Sequence, residues 1–311
     1  MEICRSLKDI NRLKNAVVTI GTFDGLHRGH QEVIRHVVST ASAKQSTSVV
    51  VTFDPHPRHI LDKDFVLPLL INLEDKLHLI QELGIDTTVV IPFSQEFSHV
   101  TASDFISDII VKNFQPNRIV IGYDHHFGKD REGSPEFLSQ FGAEHQIEVN
   151  IIEPVHDQDV IISSTHIRKL IHEGFVRRAS FELGRVYGFR AKVVYGAGRG
   201  KDLEFPTANF IPVENNQLLP KQGVYFARGR INGNNLYGMC NLGVRPTFNE
   251  TDFVMEVHFF EKSIGDLYEK EITIEFLERI RDEKKFNDSS ELKKQLVKDQ
   301  QECEELIKKY H

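Results

Sequence analysis

Apolar residues in the first 180 or so positions gather in short runs separated by stretches of helical spacing. Ala16–Thr19, Ser48–Phe53, Thr87–Pro92, Arg118–Gly122 and Val149–Ile152 are rich in Val and Ile and short enough to read as buried strands. Between them, Leu73–Leu83 and Ser103–Phe114 carry amphipathic patterns, and Val33, Ile34, Val37 and Val38 recur at helical spacing. Strands alternating with helices predict a parallel sheet covered on both faces, with ligands at the carboxyl ends of the strands. The conspicuous polar residues follow those ends: His27 and His30, Asp54-Pro55-His56-Pro57, and Gly122-Tyr123-Asp124. One site on this region is the expectation.

The pattern changes after Leu183-Gly184-Arg185. Tyr187, Phe189, Ala191, Val193 and Tyr195 alternate with polar residues, as do Ile272, Ile274 and Phe276, and Gly, Asn and Pro turns fall between. Asn232-Gly233 between two strand patterns signals a hairpin. These features predict a small antiparallel barrel or sandwich. Asp288-Ser289-Ser290-Glu291 reads as a capping box, opening a helix whose Leu292, Leu296, Cys303, Leu306 and Tyr310 form one apolar stripe. We therefore read domains over 1–182 and 183–311.

A length of 311 residues allows two cores of this kind. The formal charge of −7 argues against a general nucleic-acid binder. Cys4, Cys240 and Cys303 are widely spaced and form no C-x-x-C pair, which points to reduced thiols in a cytoplasmic protein. No apolar run reaches the ~18 residues of a membrane span. Met1-Glu2-Ile3-Cys4-Arg5 does not begin a signal peptide pattern.

The strongest chemical signal is Gly21-Thr22-Phe23-Asp24-Gly25-Leu26-His27-Arg28-Gly29-His30 between a strand and a helix. Bare N–H groups at a helix start favour anions, and Gly25 and Gly29 allow a phosphate to approach the backbone beside two imidazoles. Ile162-Ser163-Ser164-Thr165-His166-Ile167-Arg168 supplies a second set, in which Ser164 or Thr165 caps a helix and Arg168 sits about one turn in. The prolines around His56 stiffen the loop after the second strand. Adjacent His125 and His126 tend to point apart, so no metal is expected there. In the second region, Gly198-Arg199-Gly200-Lys201 is a basic glycine loop leading to Phe205-Pro206-Thr207-Ala208-Asn209. The Thr207 hydroxyl and Asn209 amide oxygen are hard ligands suited to Mg²⁺ beside phosphates, and Lys201 can neutralise phosphate charge. Met255, Val257 and Phe259 share one strand face, which leaves Glu256 and His258 on the other. Glu256 is then either a solvated strand residue or a general base.

The whole chain from about residue 15 resembles the prokaryotic bifunctional riboflavin kinase/FMN adenylyltransferase family, often called FAD synthetases. The likeness lies in G-T-F-D-G-L-H-R-G-H, T-F-D-P-H-P-R, G-Y-D-H-H-F-G, I-S-S-T-H-I-R, L-G-R-V-Y, F-P-T-A-N, N-L-G-V-R-P-T-F and E-V-H-F-F, in that order. The resemblance implies an α/β nucleotidyltransferase domain with a Rossmann-like parallel sheet, then a small antiparallel β-barrel riboflavin kinase domain with a C-terminal helix. It implies riboflavin, FMN and ATP as substrates, Mg²⁺ as cofactor, and neither nucleic acid nor membrane as partner; the oligomeric state stays open. His27, His30 and Arg168 would stabilise charge during AMP transfer, with ATP against Gly21, Thr22, Phe23, Asp24, Gly25, Gly29, Asp124, Ser164 and Thr165. His56 and Pro57 would meet the flavin. In the kinase site, Lys201, Pro206 and Thr207 would bind ATP, Thr207 and Asn209 the metal, and Glu256 would be the base. Thr22 stands where the family often has Asn, and Glu204 and Glu269 stand where it usually has Gly. An adenylyltransferase for another small phosphate substrate, or a non-enzymatic flavin sensor, are the rival readings.

Overall fold

The computed structural model describes residues 1–10, 13–62, 64, 67–196, 204–231, 233–247, 250–261 and 265–310. By its contacts the chain divides into two compact units, Met1–Ser164 and Thr165–His311.

In the first unit, β1 (Glu2–Cys4), β2 (Ala16–Ile20), α1 (Arg28–Lys44), β3 (Thr47–Asp54), α2 (Pro57–Leu61), α3 (Leu73–Glu82) and β4 (Thr87–Pro92) follow in order. A helix then runs from α4 (Ala102–Asp104) through a π-wound stretch, Phe105–Val111, to α5 (Lys112–Phe114). β5 (Arg118–Gly122), α6 (Pro135–His145), β6 (Glu148–Ile152) and the short pair β7 (His156–Asp157) and β8 (Val160–Ile161) complete it. The main sheet has six strands, all parallel, in the order β1-β4-β3-β2-β5-β6. The Val- and Ile-rich runs become strands because both faces are covered, so every residue of β2 is buried. From β2 the chain moves outward through β3 and β4, then returns to place β5 on the other side of β2. That reversal is a topological switch point, where open parallel sheets form a ligand crevice. The crevice lies beyond the carboxyl ends of β2 and β5.

The second unit opens with most of α7 (Ser164–Glu173) and α8 (Val176–Leu183). β9 (Gly188–Val194), β10 (Ala208–Pro212), β11 (Gly223–Ile231), β12 (Asn234–Thr247), β13 (Glu250–Phe259) and β14 (Glu271–Arg281) close into an antiparallel barrel, followed by α9 (Ser289–Tyr310). Closure settles the choice between barrel and sandwich. Phe189, Ala191 and Val193 alternate buried along β9 as their spacing predicts. Tyr187, Phe189, Tyr225 and Phe276 bring their rings together. Ile231 pairs with Asn234 across the expected hairpin, and Gly233 has φ 81°.

The stripe on α9 packs as expected: Cys303 and Leu306 join Phe205, Phe226, Met239 and Leu277 in one cluster. Burying a residue such as Leu306 contributes about 1.5–3 kcal/mol. Asp299, buried on the same helix, takes Arg281 through both oxygens, Nε at 2.9 Å and Nη2 at 2.6 Å. The Asp288 carboxylate accepts from the Glu291 N–H at 2.8 Å, while Glu291 reaches back to the Asn287 N–H at 3.0 Å. The reciprocal cap thus closes one residue earlier than the box pattern alone requires. α8 buries Val176, Ala179 and Leu183 and packs against β14. This is why the compact division falls at Ser164, ahead of the change in sequence pattern near Leu183.

Candidate active sites

At the end of β2 the chain turns sharply. Phe23 has φ 48°, and Gly25 φ 77° inside the turn Asp24–Leu26, a left-handed conformation that glycine adopts without a side-chain clash. The turn hands the backbone to α1 with His27 as its N-cap, and the imidazole Nδ1 accepts from the His30 N–H at 3.4 Å. The His27 and His30 rings stack, with centroids 3.6 Å apart and planes 19° from parallel. Phe23 meets His30 edge-on at 5.4 Å. A Cβ on Gly29 would sit 3.2 Å from the His27 ring, so the small residue lets that ring lie close to the backbone. His30 is held well below the ordinary histidine range by burial, then by His27 and by Lys76. It is neutral at pH 7, and its Nδ1 is buried without a hydrogen-bond partner. In the expected cradle of two imidazoles, His30 is therefore a neutral ring with an unused polar atom.

Other predicted residues gather around this turn. The Asp24 carboxylate accepts from the Leu70 N–H at 3.2 Å, and the Asp24 carbonyl accepts from the Ser164 hydroxyl at 2.9 Å. Thr22 offers its carbonyl to Thr52 Oγ1 at 3.3 Å, a role of its backbone, which any residue at 22 would keep. Asp124 stands in the exposed turn after β5, across the switch point from β2. His56 caps α2 by accepting from the Arg58 N–H at 3.2 Å, and Pro57 is the first residue of that helix. Thr165 and Arg168 lie on α7 in the second unit.

Lys76 escapes the sequence reading. It lies on α3 with Leu73, Leu77 and Ile80, the positions of an apolar stripe, and it is buried there. Its ammonium donates to the Thr22 carbonyl at 3.1 Å and to Thr52 Oγ1 at 3.2 Å. A lysine interrupting an apolar face was the available signal.

The barrel builds a different site from strand register. β10 and β13 pair antiparallel with Asn209 opposite Glu256. Met255, Val257 and Phe259 are buried on the other face of β13, so Glu256 and His258 point together toward the turn before β10. Thr207 Oγ1 donates to Glu256 Oε2 at 3.3 Å, and His258 Nδ1 lies 2.8 Å from the Pro206 carbonyl. Burial lowers the His258 proton affinity. Asn209 is buried with its amide against Gly196, where any Cβ would overlap it. The Thr207 hydroxyl meets the Glu256 carboxylate, and Asn209 is the cross-strand partner of Glu256, so three residues with hard oxygen donors share this end of the strand pair. Among the described residues no group of three or more His, Cys, Asp or Glu could hold a metal. An ion at Thr207 and Asn209 would thus keep water or phosphate oxygens, the habit of Mg²⁺. Lys201 lies outside the described residues.

The FAD synthetase family matches residues 9–166, and the riboflavin kinase family matches residues 183–307. The bifunctional riboflavin kinase/FMN adenylyltransferase of Bacillus subtilis is 35% identical, over 93% of this chain and 91% of its own. Its counterpart in Buchnera aphidicola from Acyrthosiphon pisum is 34% identical, over 96% of each chain. The Escherichia coli K12 protein is 30% identical, over 99% of this chain and 98% of its own. Among solved structures, one described as a macrolide-efflux protein from Streptococcus pneumoniae superposes with a TM-score of 0.87. It is 31% identical and covers 96% of this chain and 97% of its own. Among the described residues, no helix is long and apolar enough to cross a membrane.

Proposed function

The chain belongs to the bifunctional riboflavin kinase/FMN adenylyltransferase family, and from that premise we propose how its residues divide two reactions. It phosphorylates riboflavin to FMN with ATP, then adenylylates FMN to FAD with release of pyrophosphate. We assign AMP transfer to the region matched over 9–166 and phosphorylation to that matched over 183–307, with most of α7 and of α8 between them.

In the first reaction, an oxygen of the FMN phosphate attacks the α-phosphorus of ATP. One P–O bond forms, the α–β bridge breaks, and its electron pair leaves on pyrophosphate. The nucleophile is already anionic, so no protein base is needed. His27 and His30 at the head of α1 donate to the crowded phosphate oxygens, with Gly25 and Gly29 admitting them and Ser164 fixing the Asp24 carbonyl. We assign Arg168 to the same reaction as the charge on the leaving group. His56, Pro57 and Asp124 follow strand ends where flavin and nucleotide would lie.

In the second reaction, the ribityl hydroxyl attacks the γ-phosphorus and ADP leaves. That hydroxyl loses a proton, and Glu256 is the carboxylate positioned to take it. The donor set at Thr207 and Asn209 supports Mg²⁺, which would neutralise phosphate charge when bound. A cytoplasmic location is the reading that three buried, unpaired thiols support.

The observation that carries the two-site reading is that stacked histidines at a switch point and a carboxylate–hydroxyl–amide set on a barrel occur in one chain. Purified protein given riboflavin, ATP and Mg²⁺ should form FMN first and FAD second, resolved by chromatography. FMN that never becomes FAD would remove the first activity, and no conversion of riboflavin would remove the second.

A further inference from the structure

Taking an ammonium out of water is costly, and lysines are seldom fully buried without a purpose. Lys76 is 7% exposed. Its two hydrogen-bond partners, the Thr22 carbonyl and Thr52 Oγ1, are neutral, and the Thr52 hydroxyl itself donates to that same carbonyl. The three groups form a closed triangle at the carboxyl ends of β2 and β3. A neutral amide could make two such bonds without burying a charge, so the feature to be explained is the charge. No acid on its own helix is aimed at it: Glu74 takes Arg5, Asp75 takes Asn72, and Glu82 lies against His78.

We propose that Lys76 is a positioning residue for AMP transfer. Its ammonium fixes the Thr22 carbonyl and the Thr52 hydroxyl at the strand ends and sets a buried positive charge behind His27 and His30 for the nucleotide's phosphates. The inference rests on reading the β2–α1 turn as the AMP-transfer site.

The charged groups around Lys76 decide when that charge is present. Burial lowers its proton affinity, against Asp24 in the β2 turn and Asp54 at the end of β3, to about 8. His30 on α1 feels Lys76 as one of the influences that keep it neutral. Lys76 is thus charged below pH about 8 and loses the charge as pH rises through that value. The phosphate of FMN titrates near pH ~6 and leaves the region around 8 clear.

The test is kcat/KM for ATP in FMN adenylylation across pH ~6 to ~9.5, with riboflavin phosphorylation measured on the same samples. The parent should lose adenylylation efficiency above pH about 8. Lys76→Met should be lower by roughly 10²-fold at pH ~7, with no fall through the region where the parent falls. Lys76→Arg should retain most of the rate and move the falling limb upward by more than about one pH unit. Kinase rates should be unchanged in all three. A parent profile flat through pH about 8, or a Met profile parallel to the parent's, would overturn the proposal. If the Met variant does not fold, the parent and Arg profiles still decide. A parent that makes no FAD at any pH would overturn the site reading itself.

Discussion

The two sites proposed here would solve the same problem, charge on a reacting phosphate, with different parts of the repertoire. The first lies where a parallel sheet reverses its winding, at a glycine turn, a helix N-terminus and two stacked imidazoles. The second sits on antiparallel register, where β10 and β13 set Asn209 opposite Glu256 and a turn brings Thr207 within 3.3 Å of that carboxylate. The nucleophile explains the contrast. A phosphate oxygen arrives ionised, so the first site needs donors and positive charge. A ribityl hydroxyl arrives with a proton, so the second needs an acceptor as well.

The largest expected effect falls on that acceptor. Glu256→Gln keeps size and hydrogen bonding but takes no proton, and it should slow FMN formation by about 10²–10⁴-fold. Supplied FMN should still become FAD at the parent rate, and an unchanged kinase rate would reduce Glu256 to a solvated strand residue. Next comes His30→Ala, which should slow FAD formation by about 10²-fold or more, the scale of losing one transition-state donor. FMN made from riboflavin should then accumulate. Because His30 is held well below the ordinary range, it stays neutral at pH ~6 and gives the parent no acid limb near pH ~6.5. An acid limb there that disappears in the Ala variant would mean the ring works as a cation.

Two smaller effects sharpen the contrast on the barrel side. Gly196→Ala would push against the Asn209 amide, and we expect the ATP KM of the kinase to rise about 10-fold while adenylylation is untouched. Glu269 has φ 63° and an ion pair with Lys192 at 2.5 Å. Left-handed backbone costs a non-glycine residue about 1–2 kcal/mol, more than an exposed pair returns. Glu269→Gly should raise barrel stability by up to about 1 kcal/mol in chemical denaturation. A loss of stability would mean the ion pair outweighs the strain.

Much of this was legible before the structure. Thr87–Pro92 and Arg118–Gly122 form strands at the predicted bounds because runs of Val and Ile covered on both faces have no close competitor. β1 was missed because only Cys4 of its three residues is buried, so no run marks it. The Glu256 face was readable from a period of two. Lys76 was not, because a lysine in an amphipathic helix is normally assigned to the solvated side, and only the packing of α3 on the sheet shows otherwise. The association of α8 with the barrel was equally hidden: spacing reveals an apolar face but not its partner.

The central claim is that one chain carries two independent chemistries, and a mixing experiment tests it directly. His30→Ala and Glu256→Gln are each given riboflavin, ATP and Mg²⁺, separately and then together, and FAD is followed with time. The account predicts FMN alone from the first variant, almost no product from the second, and FAD from the mixture. Failure of the mixture to make FAD, with each variant active in its own remaining reaction, would contradict it.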